Sequence, residues 1–106
     1  MHIKRVTAHP IAYLEPNDFD NTRSLILARV EADTGEVGWG EGITIWPEAS
    51  LAAATVIVDG LAPVLVGRDP LETAARLRDM REQVWWYGVG GIASFAVCAI
   101  CEGRGH

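Results

Sequence analysis

Cysteine, histidine and net positive charge are all scarce in this chain, and each scarcity excludes a class of protein. Two cysteines and three histidines among 106 residues give no basis for a disulfide framework. Lysine and arginine total 9, against 14 aspartates and glutamates. Because nucleic-acid surfaces need clustered cations, we expect no nucleic-acid partner.

Long apolar runs and targeting signals are missing too. No uninterrupted apolar stretch approaches the ~20 residues of a membrane-spanning helix, so we expect no membrane partner. Residues 1–5 do not lead into the apolar core of a signal peptide, which makes the cytoplasm the expected location. A chain of 106 residues suits a single domain. It is too short for a (β/α)8 barrel, which needs about 200 residues.

The first half of the chain has the signals of three strands. Residues 3–13 form a mixed run that contains Pro10, and a strand with an internal proline is expected to lie at a sheet edge or to end early. Residues 14–21 are rich in loop-forming residues. Residues 23–32 and 37–41 flank a short polar turn with a glycine, which predicts an antiparallel hairpin.

Period-two alternation predicts which face of these strands is buried. In residues 23–32, the apolar side chains that share one face are Ile26, Ala28, Val30 and Ala32. Two glycines flank Trp39, which predicts close backbone approach beside a large side chain. Packing roles are expected for three tryptophans: Trp39, Trp85 and Trp86.

The second half changes to helical spacing. Pro47 suits a first helical turn, and the helix that it opens should end before Pro63. We expect this helix to be largely buried, because apolar residues occupy most of its faces. Its residues that recur at helical spacing are Leu51, Ala54, Thr55, Val58 and Leu61.

A clear helix start signal follows at residues 69–72. Asp69 is typical of an N-cap, Pro70 fits the first helical position, and Glu72 stands three residues after the cap. Glu72 and Arg76 are expected to pair on the outer face. The predicted inner face comprises Leu71, Ala74, Leu77 and Val84. Glycines at 88, 90 and 91 end this helix, and a third, apolar helix occupies residues 92–101.

The order of the elements, strands first and helices second, indicates an α+β domain. The antiparallel meander should pack against the helices. The sequence contains no internal repeat, low-complexity tract or linker.

No residue pattern predicts catalysis or a metal site. Cys98 and Cys101 have the spacing of a metal knuckle, but structural zinc needs four ligands, so we interpret both as small buried hydrophobic residues. Residues 88–91 lack the spacing of a phosphate-binding loop and are interpreted as a helix–helix turn. Ser24 and Ser50 lack the surroundings of a nucleophile elbow. We therefore predict no catalytic residue and no metal ligand.

Five segments occur in the order and spacing of a known family: residues 22–27 (TRSLIL), 37–41 (VGWGE), 46–48 (WPE), 61–70 (LAPVLVGRDP) and 86–96 (WYGVGGIASFA). Together they resemble the N-terminal capping domain of the mandelate racemase/muconate lactonizing enzyme family in the enolase superfamily. The resemblance covers residues 1 to about 100 and implies a three-stranded antiparallel meander followed by a three-helix bundle. The family pattern breaks at Cys101, which suggests a divergent tail at 101–106, a truncated gene product and no barrel domain.

The resemblance also implies a parent reaction. Such enzymes abstract the proton α to a carboxylate with the help of Mg2+, as in acid-sugar dehydration or racemisation. The barrel supplies the bases and the metal ligands. We therefore expect this chain to bind no cofactor and to be inactive alone, although the full-length family implies Mg2+.

Two loops of the family select the substrate, and they correspond to residues 14–21 and 43–48. The resemblance implies that Phe19 and Trp46 form aromatic walls, while polar groups meet substrate hydroxyls. The candidate substrate-binding residues are Asn17, Asp18, Phe19, Asp20 and Trp46.

Two functions remain open from the sequence. The first is a substrate-capping and specificity domain, which meets a small carboxylate or acid-sugar substrate only together with a barrel. The alternative is a stand-alone interaction module that associates with a barrel partner or with itself, as a homo-oligomer through an exposed helical face. A small-ligand-binding domain is a distant third, because the loops have no opposing floor.

Overall fold

The computed structural model describes residues 1–15, 21–44, 47–85 and 91–105. Three strands come first: β1 (Ile3–Glu15), β2 (Asn21–Ala32) and β3 (Val37–Ile43). The helical elements follow as α1 (Pro47–Thr55), a π-helical segment (Val56–Leu61), α2 (Ala62–Leu65), α3 (Thr73–Val84) and α4 (Gly91–Gly105). The α+β prediction is confirmed, since α1, the π-helical segment and α2 form one stretch that counts as the first of three helices.

The sheet is an antiparallel meander with the order β1-β2-β3. β1 lies at the edge, as Pro10 predicts, but the strand continues past Pro10 to Glu15 because the whole run pairs with β2. The loop predicted over residues 14–21 is therefore shorter. The hairpin between β2 and β3 closes through Gly35, whose φ of +92° is a conformation that glycine adopts without strain.

The inner face of the sheet differs from strand to strand. β2 presents the predicted buried face, formed by Ile26, Ala28, Val30 and Ala32, with Ser24 at its start. β3 presents only glycines to the inside, at positions 38, 40 and 42. Among the helices, α4 makes the most extensive contact with β3. The predicted close backbone approach at β3 thus has a partner, and it is α4.

The first helical stretch corrects the predicted inner face. Leu51 and Val58 are 59% and 45% exposed. Only about a third of the stretch is buried, rather than most of it. The π-helical segment widens the turn, so the buried stripe follows a different spacing from that of a regular helix. The side chains on that stripe are Ser50, Ala53, Ile57, Leu61 and Leu65.

The helix also continues past its predicted end at Pro63. The backbone N–H of Ala62 donates to the carbonyl of Ile57, a π-type bond over five residues. This change of hydrogen-bond register places Pro63 in the first turn of α2, where its missing N–H costs little. The stretch ends after Leu65, and Gly67 turns the chain with a φ of +89°.

Residues Pro47–Leu65 form 19 helical residues with a mean hydropathy of 1.5. By length and composition alone this helix could cross a membrane, so the argument from uninterrupted apolar runs is too strict. Core helices of globular domains pass the same test, and the buried stripe of this one packs against β1 and β2. The absence of a membrane partner stays a prediction.

α3 turns a different face inward from the one that the sequence predicts. Arg76, Met80 and Val84 are buried, while Leu71 is 70% exposed. Asp69 accepts a hydrogen bond from the backbone N–H of Leu71 at 2.9 Å, but this closes a turn, and the helix begins only at Thr73. Of the predicted inner residues, only Val84 is in the core.

Arg76 is buried because polar groups surround its guanidinium. Its Nε donates to Asp79 Oδ2 at 2.9 Å, and its Nη1 donates to the backbone carbonyl of Asp69 at 3.1 Å. The predicted outer pair with Glu72 is replaced by these two contacts. A buried arginine is tolerated when its donors are satisfied in this way.

The prediction that Cys98 is buried is wrong, because Cys98 is exposed. Trp39 and Trp85 are 48% and 68% exposed, so any packing role that they have lies outside the core. Trp86 and the glycines at 88 and 90 lie outside the described residues. α4 extends to Gly105. The domain boundary after residue 100 stays a prediction.

Candidate functional site

Two connections leave the same end of the sheet. The first joins β1 to β2 after the Glu15–Asn21 pair, and the second joins β3 to α1 near the Leu25–Ile43 pair. In an antiparallel meander the end of β1, the start of β2 and the end of β3 lie at the same end of the sheet. The predicted substrate loops therefore leave the same end of the sheet.

The predicted substrate-binding side chains themselves are Asn17, Asp18, Phe19, Asp20 and Trp46, and all five lie outside the described residues. Their roles stay predictions. The described part of the chain fixes the strand and helix ends on either side of them.

The β1–β2 hairpin extends beyond the end of β3. Ile43 pairs with Leu25, four residues after the hairpin end at Asn21. At ~3.4 Å per residue, the hairpin overhangs β3 by roughly 14 Å. Leu14, near the tip, is 67% exposed. The overhang forms one side of the candidate site, and the end of β3 with the start of α1 forms its base.

Three buried hydroxyl groups occupy this base. The backbone N–H and the Oγ1 of Thr44 both donate to the carbonyl of Ser24, each at 3.2 Å. Ser50 Oγ donates to the carbonyl of Leu25 at 2.7 Å. Ser24 and Ser50 are each 1% exposed, and Thr44 is 6% exposed. The end of β3 and the start of α1 are thus both bonded to the start of β2.

Ser24 Oγ itself has no hydrogen-bond partner, although it is buried. Buried hydroxyls are hydrogen-bonded in the large majority of proteins, so an unpaired one marks an incomplete polar network. Sequence reasoning considered Ser24 and Ser50 only as nucleophiles and missed this cluster. The usable signal was a polar residue at an inward-facing position of β2, in phase with Ile26 and Ala28.

The outer face of the sheet carries charged and aromatic side chains away from this base. Glu31 is flanked by Arg29 at 3.6 Å and Arg5 at 3.9 Å, distances that are ion pairs beyond hydrogen-bond range. The Arg29 guanidinium lies 6.0 Å from the Trp39 ring centre, and His9 is 5.5 Å from it. Ion pairs near the surface contribute ~0–1 kcal/mol.

The described residue with a resolved pKa shift lies at the opposite end of the sheet. The backbone N–H of His2 donates to Asp33 at 3.1 Å, and this hydrogen bond, followed by the His2 side chain, lowers the pKa of the Asp33 carboxyl. Asp33 starts the β2–β3 turn, so this titration does not occur at the candidate site.

Among residues 1–15, 21–44, 47–85 and 91–105, no group of three or more His, Cys, Asp or Glu side chains could hold a metal ion. That this chain binds no metal stays a prediction. The outward face of α3 lines a shallow groove of about 530 Å3, bordered by Leu77, Arg78, Arg81 and Trp85.

Comparison with known proteins gives a family match over nearly the whole chain. Residues 5–101 match the family described as mandelate racemase/muconate lactonizing enzyme, N-terminal domain. No curated protein matches the chain.

Several solved structures share the fold. A mandelate racemase/muconate lactonizing protein from Paracoccus denitrificans PD1222, complexed with magnesium, is 28% identical with a TM-score of 0.75, and the match covers 97% of this chain and 26% of that one. A racemase from Streptomyces coelicolor A3(2) with bound magnesium is 24% identical with a TM-score of 0.86, covering 96% and 30%. An enolase-superfamily member from Polaromonas sp. JS666 is 24% identical with a TM-score of 0.79, covering 98% and 29%. This chain thus spans less than a third of the length of these relatives.

Proposed function

Because the chain belongs to the mandelate racemase/muconate lactonizing enzyme family, as its N-terminal domain, we propose that it is a substrate-capping and specificity domain. It acts with a barrel domain and has no turnover alone. The parent reaction is Mg2+-assisted abstraction of the proton α to a carboxylate, in acid-sugar dehydration or racemisation. One observation carries the proposal: both candidate substrate connections leave the same end of the sheet.

The chemistry of the described residues fits a binding role rather than a catalytic one. The base of the candidate site carries hydroxyl groups at Ser24, Thr44 and Ser50, which orient backbone but supply no base near neutral pH. A proton abstraction needs a general base and an electrophile, and in this proposal the barrel supplies both. The metal is bound outside this chain, so no step here passes through it.

A cytoplasmic location accompanies this proposal. Cys98 is an exposed cysteine that forms no disulfide. An exposed thiol suits a reducing compartment.

The first experiment separates the chain from a barrel and then restores one. The purified chain is incubated with Mg2+ and a panel of acid sugars and other α-substituted carboxylates in D2O, and α-proton exchange is followed by NMR. We expect no exchange. Residues 5–101 are then grafted onto the barrel of the Streptomyces coelicolor racemase, whose TM-score of 0.86 makes it the best-fitting scaffold of the three relatives.

In this chimera we expect exchange activity with an order of preferred substrates different from that of the parent racemase. Phe19→Ala and Trp46→Ala should each raise KM more than they lower kcat. Trp39→Ala is the matched control, because Trp39 is an exposed tryptophan on the outer face of the sheet, away from both connections. If the chimera does not fold, residues 16–20 and 45–46 alone are transplanted into the racemase.

Turnover by the isolated chain would contradict the proposal. So would an active chimera whose substrate order equals that of the parent and does not respond to changes at Phe19 or Trp46.

The exposed helical face favours the second candidate, an interaction module. Leu71, just before α3, and Trp85, just after it, are 70% and 68% exposed, and Leu77 lines the α3 groove together with Trp85. Apolar side chains grouped on a surface often mark an interface. Size-exclusion chromatography with light scattering tests self-association, and Leu71→Ser with Leu77→Ser should convert an oligomer to a monomer. A wild-type chain that is monomeric at high concentration would exclude the homo-oligomer.

A further inference from the structure

The connection at residues 45–46 is short, and the described residues on both sides of it are bonded to the same strand. Thr44, just before it, bonds twice to the carbonyl of Ser24. Ser50, three residues after Pro47, bonds to the carbonyl of Leu25. Ser24 and Leu25 are neighbours in β2. Both ends of the connection are therefore fixed to one dipeptide.

This dipeptide belongs to the strand that begins where the other connection ends. β2 starts at Asn21, so residues 21–25 run from the end of connection 16–20 to the attachment points of Thr44 and Ser50. Beyond the Leu25–Ile43 pair, β3 no longer pairs with β2. The Thr44 and Ser50 bonds continue the attachment past the point where the regular sheet stops.

The three hydroxyl groups are buried, so their hydrogen bonds are not surface contacts. The hydroxyls of Thr44 and Ser50 bond to backbone carbonyls that have almost no access to water, and losing either bond would leave a buried polar group unsatisfied. The unpaired Ser24 Oγ lies in the same cluster. Two members of the cluster thus hold the backbone of β2, and the third, Ser24, has a buried hydroxyl without a hydrogen-bond partner.

We propose that Ser24, Thr44 and Ser50 are positioning residues that present the two substrate connections as one unit. Thr44 and Ser50 fasten both ends of connection 45–46 to the start of β2, and Ser24 provides the carbonyl and the spare hydroxyl between them. The cluster sets substrate preference by fixing the described ends of both connections, residues 21–25, 43–44 and 47–50, without touching the substrate. This inference rests on the proposed capping function.

The test on the isolated chain measures amide hydrogen exchange after Thr44→Val and Ser50→Ala. Thr44→Val keeps the shape of the side chain and removes only the hydroxyl. We expect exchange to rise about five- to tenfold, as for the loss of one hydrogen bond, at amides flanking both connections, namely Asn21, Thr22, Leu51 and Ala52. Amides of the central sheet, at Ile26 and Ala28, should keep their rates.

Thr55→Val is the matched control. Thr55 Oγ1 also donates to a backbone carbonyl, that of Leu51 at 3.2 Å, but within one helix. Its loss should leave exchange at Asn21 and Thr22 unchanged. Thr44→Ser restores the hydroxyl and should restore the wild-type rates. If Thr44→Val instead raises exchange equally at Ile26 and Ala28, the cluster only stabilises the fold, and the inference is wrong.

The racemase chimera separates this inference from the capping function. There Thr44→Val and Ser50→Ala should raise KM several-fold and leave kcat nearly unchanged, and Ser24→Ala should raise KM while leaving the unfolding temperature of the isolated chain equal or higher. Local loosening at both connections without any change in substrate order supports the cluster and contradicts the capping function. Unchanged exchange at Asn21 and Thr22 in Thr44→Val overturns the cluster, whatever the chimera does.

Discussion

The helical layer meets the sheet in two different ways. Over β1 and β2, the first helical stretch inserts large side chains, and Ile57, Leu61 and Leu65 are fully buried there. Over β3, α4 packs against a strand face that has no side chains at all, because residues 38, 40 and 42 are glycines. We call the part of the core over β1 and β2 its first half and the part over β3 its second half. The first half gains stability from buried apolar area, and the second half depends on the close approach of the β3 and α4 backbones.

The small side chains of α4 complete the second half. Ala93, Ala96 and Ala99 are buried together with the β3 glycines. Small residues on both surfaces let a helix and a strand approach closely, whereas the first half needs branched side chains to fill a wider gap. The two halves should therefore respond in opposite ways to changes in side-chain volume.

Removing volume from the first half should have the largest effect. Leu61→Ala leaves a cavity at a fully buried site, and we expect a loss of about 2–5 kcal/mol in the free energy of unfolding. Leu51→Ala makes the same chemical change on the same stretch at a 59% exposed site and should cost less than about 0.5 kcal/mol. Urea denaturation followed by circular dichroism measures both. Equal losses for the two variants would show that Leu61 does not carry the first half of the core.

Adding volume to the second half should have the next largest effect. Gly40→Ala places a methyl group between β3 and α4, and overpacking of this kind costs about 1–3 kcal/mol. Gly60→Ala is the control, because a Cβ at Gly60 meets no atom within 4 Å. There the same change should stabilise the protein by roughly 0.5–1 kcal/mol, since alanine is the better helix former.

Gly40→Ala and Gly60→Ala should change the free energy of unfolding in opposite directions. If Gly40→Ala is neutral or stabilising, α4 does not approach β3 closely, and the distinction between the two halves fails. Thermal unfolding of both variants at one pH is sufficient to see it.

The two halves also differ in how well the sequence predicts them. In β2, alternation identified the buried face correctly, because a pleated strand has a fixed period of two and its turn at Gly35 sets the register. Helical faces were predicted less well. Leu61 is buried as predicted, but Ile57 is buried in place of Leu51 and Val58, and no composition signal announces the π-helical segment in this stretch.

Buried Arg76 shows the same limit in α3. Apolar periodicity assigned Leu71 and Leu77 to the core, but Arg76 takes that place, because Asp79 and the Asp69 carbonyl satisfy its donors. Such a tertiary arrangement of partners is invisible in a hydrophobic pattern. Likewise Asp69 was identified as a capping residue from its type, and it closes a turn to Leu71 before the helix starts.

The sequence also predicts one part of the candidate site and not the other. Strand order alone places the two connections at one end of the sheet, and this much could be predicted from the hairpin pattern. The hydroxyl cluster could not, because Thr44 and Ser50 reach β2 only after β3 and α1 have packed. The roles of Phe19 and Trp46 come from the family resemblance and stay predictions.

The smallest expected effect lies outside both halves of the core, where the start of β1 meets the β2–β3 turn. Hydrogen bonds from His2 lower the pKa of Asp33 below its usual 3.8. A carboxyl whose pKa is depressed in the folded state contributes stability above its unfolded pKa, and it loses this contribution as the pH falls through the lower folded value. Asp33→Asn should therefore be less stable than wild type at pH 7, and the gap should narrow as the pH falls below about 4.

Urea denaturation at a series of pH values between 2 and 7 measures this gap. Asp59→Asn removes a carboxylate from the exposed side of the π-helical segment and serves as the reference. The difference between wild type and Asp33→Asn should be small, because Asp33 is exposed to solvent and its ion pair with His2 is screened. A gap that widens in acid would mean that the protonated form of Asp33 makes the better contact with His2. Asp33 lies in the β2–β3 turn, away from the sites of Leu61→Ala and Gly40→Ala. The effect of Asp33→Asn on stability should therefore depend on pH in the same way when it is combined with either of these substitutions.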